Sequence, residues 1–347
     1  MYHFRNDYSE GAHPEVLAAL CATNLEENPG YGGDDHCARA AALIREQCCC
    51  PQADVQFLIG GTQTNFTAIA AFLRPWEGVL CARSGHINGH EAGAVEATGH
   101  KLFQAETGPD GKLTADLLLP FLEEGKNEHT VLPRLVYISD ATETGGVYTK
   151  AELTALSDFC RSHGLLLFLD GARLGAAFAA ESSDLTLPDL ARLTDAFYIG
   201  GTKNGALMGE ALVIVDPALQ EGFFRIKKQR GAVLAKGWLL GVQFEALLQD
   251  GLYWRIARHA VEMAQRLQTG LTGLGFPLLS PSESNQIFPI VPNSLLPVLN
   301  GICTYEVWSR PDEAHTAVRF VTSFATPQES VDGLLTQLAR SLGDHPL

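Results

Sequence analysis

The segment Leu165-Leu166-Leu167-Phe168-Leu169 is an unbroken apolar run, stopped by Asp170-Gly171. A strand with one wet face alternates polar and apolar residues, whereas a strand covered on both faces does not. This run therefore predicts a sheet with helices on both sides, which is an α/β architecture. The rest of the chain supplies the parts. Residues 55–59, 78–82, 135–139, 196–199 and 211–215 read as further strands, 14–20, 35–48 and 150–163 as helices, and the stretch after Asn65 as an Ala-rich helix through about residue 73. After about residue 237 the texture changes. A long amphipathic stretch runs from Trp238 to about Leu274, followed by short strands near 286–291, 303–308 and 316–323 and a last helix near 327–342. Pro281, Pro289, Pro292 and Pro297 make the 277–300 region loop-rich.

At 347 residues, 46% of them hydrophobic, the chain can bury a large core and a second, smaller one. We expect a large domain over 1–240 and a small C-terminal domain over 241–347. The formal charge of -15 repels phosphate backbones and anionic lipid, which argues against nucleic acid and membrane surfaces as partners. No stretch approaches the roughly 20 apolar residues that span a bilayer, and the first residues lack a signal peptide's apolar core. The expected location is cytoplasmic. The eight cysteines form no C-x-x-C pair, and Cys48-Cys49-Cys50 reads as reduced thiols at a helix end. No metal site is expected.

Ligands of open α/β sheets gather beyond the carboxyl ends of the strands, and four features fall there. Gly60-Gly61-Thr62 joins a strand to a helix; free N–H groups at such a start suit a phosphate, although an ordinary capped turn has the same look. Gly85-His86-Ile87 follows another strand, and His86 is placed to stack on a flat ring or to move a proton. His86 and His90 share i, i+4 spacing, but H-E-x-x-H is absent. Asp170 ends a strand that should be buried, where a charge needs a partner: a cationic ring nitrogen, a metal, or Arg173. Lys203 lies 33 residues further on among Gly, Thr and Asn. Desolvation there would lower its pKa and free the amine to attack carbonyls. Taken together, these are the parts pyridoxal phosphate (PLP) requires: a phosphate turn, a ring-facing histidine, an acid for the pyridine nitrogen and an amine for the aldehyde.

On Phe4-Arg5-Asn6-Asp7, Tyr31-Gly32, Gly61-Thr62, Gly85-His86-Ile87, Asp170-Gly171-Ala172-Arg173, Lys203 and Ala317-Val318-Arg319-Phe320-Val321-Thr322, the chain resembles the threonine aldolase/β-eliminating lyase family. The resemblance implies the fold-type I PLP-dependent transferase-like fold: a large domain with a mostly parallel mixed sheet between helices, and a smaller α+β domain, with residues 1–20 contributing to the site. It also implies that Lys203 is the Schiff-base lysine, that Asp170 pairs with the pyridine nitrogen, and that His86 stacks on the ring and acts as base. Gly61 and Thr62 would then hold the phosphate, joined by Lys228. Arg173 and Arg319 would take the substrate carboxylate, with Asn6 as a small polar contact. The implied reaction cleaves a β-hydroxy-α-amino acid, such as L-threonine or L-allo-threonine, to glycine and an aldehyde. The implied assembly is a homodimer or homotetramer with shared sites. Three departures bear on side-chain preference: Thr202 stands before the lysine where serine is common, Asn6 replaces a frequent serine, and His90 replaces an aromatic residue. β-Elimination, transamination and racemisation are rivals on the same scaffold, and a binding protein with a decayed site is the rival from another class.

Overall fold

A computed structural model of the chain describes residues 1–344. The chain opens with a short strand, β1 (Tyr2–His3). It then builds its main sheet from β2 (Asp54–Leu58), β3 (Glu77–Ala82), β4 (Leu102–Ala105), β5 (Leu132–Ser139), β6 (Leu166–Asp170), β7 (Ala196–Gly200) and β8 (Glu210–Ile214). The strand order is β2-β8-β7-β6-β5-β3-β4. β8 runs against both its neighbours and the other adjacent pairs are parallel, so the sheet is mixed. As a result β2, β3, β5, β6 and β7 all end at one edge of the sheet, and β8 begins there.

The apolar run behaves as its composition demands: every residue of β6 is buried. Alternate residues feed opposite faces. Leu167, Leu169, Phe197, Ile199 and Val213 pack against Ile44, Leu153, Leu156, Phe244 and Leu247 on one side. Phe168, Tyr198, Leu212 and Tyr137 pack against Ala68, Ile69 and Phe72 on the other. The helix Lys150–Ser162 starts at a capping box between Thr149 and Glu152. The structure adds helices that the sequence reading passed over, including Ala115–Glu124, Leu187–Leu193 and Phe223–Gln229.

The amphipathic stretch from Trp238 is two helices, Trp238–Gln249 and Leu252–Gly273, rather than one. Gly251 separates them at φ +67°, a left-handed conformation that glycine adopts without a steric penalty. The second helix is shared: Leu252, Tyr253 and Ile256 pack on the main sheet, whereas Met263, Leu267 and Leu271 belong to another core. That second core lies under β9 (Gln286–Ile287), β10 (Ile290–Pro292), β12 (Glu306–Ser309) and β13 (His315–Val321), all of which meet β12 or β13 in antiparallel pairs. β11 (Cys303–Thr304) pairs in parallel with β1. The amide of Phe4 donates to Thr304 at 3.1 Å, and the amide of Val321 donates to Phe4 at 2.8 Å.

The end of β6 is crowded. A Cβ added at Gly171 would lie 1.8 Å from the carbonyl oxygen of Tyr198 on β7, and backbone atoms of neighbouring strands have nowhere to move. Gly171→Ala should therefore destabilise the fold by about 3 kcal/mol. Chemical denaturation measures this directly, and an unchanged midpoint would show that the two strand ends are further apart.

Candidate active site

At the common edge of the strands two adjoining cavities, of about 320 and 510 Å3, share Tyr8, His86, His90, Glu143, Arg173 and Lys203. These volumes suit a small ligand. The inner cavity is also lined by Gly61, Thr62, Asp170, Tyr198 and Glu210. The outer one is closed by Gln286, Glu306, Val307, Trp308 and Arg319 from the second sheet. A separate cavity of about 630 Å3, beside β2 and the 232–237 segment, contains none of the site residues singled out in the sequence.

Asp170 sits at the end of β6, 4% exposed. Its Oδ1 accepts from the Ala172 amide at 2.9 Å and from the Tyr198 hydroxyl. Its Oδ2 accepts from Asn65 Nδ2 at 3.0 Å and from the Tyr137 hydroxyl. Burial alone would raise its pKa. The nearby His86, the two phenols and the Ala172 amide outweigh burial and hold the carboxyl below its usual range. Burial pushes both phenols well above their ordinary value, so they stay neutral donors.

Lys203 follows β7 on the turn Gly200-Gly201-Thr202 and is half-buried. Among the described residues no carboxylate lies within 4.0 Å of its amine. Burial and the Arg173 charge lower its pKa, against the opposing pull of Asp7, Asp170 and Glu210. Glu210 is itself buried at the start of β8, and burial pushes its carboxyl up to about 8. It accepts from the Gly201 amide at 3.1 Å, so it braces the lysine turn.

The helix Gly61–Phe72 begins at Gly60 with no side-chain cap, so its first amides are free of side-chain partners. Gly61 and Thr62 line the inner cavity there. A Cβ at Gly61 would stand 3.1 Å from the Tyr198 hydroxyl, a tight contact that a larger residue could make only if the phenol shifted.

The two arginines are held differently. Arg173 donates through Nε and Nη2 to Asp7 at 2.8 and 3.0 Å, a buried bidentate pair completed by Asn285 on the same carboxylate. Burial would raise the Asp7 pKa, but Arg173 beside it dominates and lowers it. Arg319 lies over the Trp308 ring at 5.5 Å. It donates through Nη1 to Gln286 at 3.3 Å and through Nη2 to Glu306, its cross-strand neighbour. Its Nε is buried without a partner among the described residues. The alternative pairing of Arg173 with Asp170 does not occur; Asp7 takes its place.

His86 lies on a short helical turn after β3. Its Nδ1 is 2.7 Å from Glu91 Oε1, and its backbone amide donates to Glu143 at 2.9 Å. The His90 ring lies 5.6 Å away despite the intervening glycine, and burial lowers the His90 pKa. Burial also raises the pKa of Glu143, which accepts from Ser139 at 2.7 Å. Asn6 lies outside the cavity lining, and its carboxamide accepts from the Tyr8 amide and the Ser9 hydroxyl. Lys228 lies outside it as well, with its ammonium 4.6 Å from the Tyr31 ring centre. Cys48 and Cys50 are buried and Cys49 is exposed. Among the described residues no group of three potential ligands converges on a metal position.

The donor set thus combines a strand-end carboxylate held charged, an amine with no acid partner and an uncapped helix start. It fits a flat cationic ring that carries a carbonyl and a phosphate. Comparison with known proteins gives the same direction. Residues 3–294 match the family model described as beta-eliminating lyase. A low specificity L-threonine aldolase of Pseudomonas aeruginosa is 34% identical over 82% of this chain and 83% of its own. The structure of Leishmania major threonine aldolase superposes with a TM-score of 0.96 at 47% identity, over 99% of each chain. Aspartate aminotransferase of Thermus thermophilus, at 18% identity and a TM-score of 0.74 over 98% of this chain and 91% of its own, shares the fold.

Proposed function

The chain belongs to the beta-eliminating lyase family, and from that premise we infer that it is a PLP-dependent threonine aldolase, a carbon–carbon lyase that releases glycine and an aldehyde from a β-hydroxy-α-amino acid. The observation that carries the reading is the pair of adjoining cavities that share Lys203 and Arg173, the inner lined also by Asp170 and the Gly61-Thr62 helix start and the outer by Arg319. Lys203 would hold PLP at its aldehyde, Asp170 at its ring nitrogen, and Gly61 and Thr62 at its phosphate. PLP, when bound, supplies the electron sink for the broken bond.

The rest is work for this chain's own side chains. Arg173, locked by Asp7, and Arg319, braced on Trp308, offer guanidinium edges to a planar carboxylate. That clamp fixes the amino acid so that its Cα–Cβ bond is the one presented for cleavage. His86 lines both cavities and takes the hydroxyl proton, directly or through a water. Asp170 keeps its charge through four donors and so keeps a neighbouring ring nitrogen protonated. Lys228 contributes to a phosphate site only in an assembly of subunits, and a homodimer or homotetramer is part of the same proposal. So are a cytoplasmic location and a division near residue 240 into a larger and a smaller domain, the latter ending at residue 347, three residues past those described.

Incubation with L-threonine tests the reading. Glycine and acetaldehyde are expected; 2-oxobutyrate and ammonia would instead mean β-elimination. L-allo-threonine and phenylserine in parallel would define the side-chain preference. Arg319→Ala should raise KM by roughly 10- to 100-fold, the equivalent of one or two charge-assisted hydrogen bonds. Steady-state kinetics check this, and an unchanged KM would remove Arg319 from the clamp.

A further inference from the structure

We propose that Glu91 is the positioning residue that makes His86 a base; this rests on the aldolase reading above. The Glu91 side chain is fully shielded from solvent, and its Oε1 lies 2.7 Å from His86 Nδ1. The same oxygen accepts from Asn65 Nδ2 at 2.8 Å, and Asn65 Nδ2 also donates to Asp170 Oδ2 at 3.0 Å. One neutral amide therefore bridges two buried carboxylates, Glu91 and Asp170. Glu91 Oε2 is buried with no partner among the described residues. A buried carboxylate left half-satisfied is costly, so its retention calls for a reason.

The hydrogen-bond chemistry supplies one. A carboxylate accepts and cannot donate, so the imidazole proton must sit on Nδ1. The other nitrogen, Nε2, then carries the lone pair. It has no partner among the described residues, and the ring lines both cavities. In the retro-aldol step the hydroxyl proton passes to Nε2. The oxygen's electron pair becomes the aldehyde C=O bond, and the Cα–Cβ pair stays on Cα. His86 becomes an imidazolium 2.7 Å from Glu91, whose charge stabilises it as the step proceeds.

Glu91→Gln separates charge from shape. Its Oε1 can still accept from His86 and Asn65, and its amide nitrogen replaces the unpartnered Oε2. A purely structural role predicts wild-type behaviour. The proposal predicts that kcat falls about 100-fold with KM within about twofold. Nitrogen-15 NMR of the histidine-labelled holoenzyme gives a readout independent of turnover, with His86 assigned by its loss in His86→Asn. The proton should sit on Nδ1 in the unaltered protein, and the His86 titration midpoint should fall by about one pH unit or more in Glu91→Gln. Asp170, Glu143 and the His90 ring also face His86 and are common to both proteins. A proton on Nε2 in the unaltered protein would overturn the proposal, and this arm needs no variant to fold. So would a Glu91→Gln enzyme within threefold of wild type, or an activity loss with an unmoved midpoint. Failure to release glycine from L-threonine would sink the aldolase reading alone, leaving the NMR arms to decide what Glu91 does for His86.

Discussion

Lys203→Ala is expected to lower turnover by at least roughly 10^4-fold, to below detection in a standard assay. The lysine stands alone at its post. It is half-buried on the turn after β7, and no carboxylate within 4.0 Å among the described residues shares its amine. No other lysine lines either cavity, so no second amine is at hand to substitute. Because the amine is desolvated and unpaired, its removal should cost the fold little and leave the thermal midpoint near that of the wild type. Two measurements make the result unambiguous. The variant should melt normally, and it should lack the visible absorbance that the unaltered protein shows with PLP, at roughly 410–430 nm. Turnover within a hundredfold of wild type in a normally folded variant would take Lys203 out of its role.

Asp170→Asn should reduce turnover by roughly three to four orders of magnitude, about 4–5.5 kcal/mol of barrier, while leaving the cofactor partly bound. Asparagine has the aspartate's shape, but all four groups around this carboxylate are donors. An amide nitrogen on the Oδ1 side would face Tyr198 and the Ala172 amide; on the Oδ2 side it would face Tyr137 and Asn65. A phenol can rotate and accept, but an N–H cannot, so either orientation strands a buried donor. That adds a stability loss of about 1–3 kcal/mol, which calorimetry should register beside the kinetic loss. Activity within a factor of a few of wild type would contradict the pairing of Asp170 with a ring nitrogen.

The two residues on which these predictions turn were legible because each marks a discontinuity. Asp170 interrupts an apolar run, and Lys203 stands among glycines just past a strand. The α/β class followed from the same run. What surrounds them was not legible, for separate physical reasons. Tyr137 and Tyr198 occupy strands rich in apolar residues and read as core, since nothing local shows that their hydroxyls converge on one carboxylate. Glu210 begins a strand instead of ending one, and only the reversed direction of β8, which a sequence does not display, brings it to the site. Asp7 lies 166 positions from the arginine it holds, within the Phe4-Arg5-Asn6-Asp7 segment from which only Asn6 was singled out. Glu91 stands in a loop, where a charged residue is usually solvated, and only the fold shows it buried and accepting from Asn65.

Residues 1–7 have a consequence for how the chain folds. β1 lies against β11, Phe4 packs on Phe320, and Asp7 grips Arg173 while it accepts from Asn285. Apart from Arg173, the partners of this segment therefore lie within residues 285–321, far away along the chain. The main sheet can form without them, since its strands lie between residues 54 and 214, but the cleft then lacks the second-sheet residues that line it. Contacts of such long sequence separation form late. A chain truncated before residue 285 would thus keep the strands of the main sheet and lack Gln286, Glu306, Trp308 and Arg319 at the cleft.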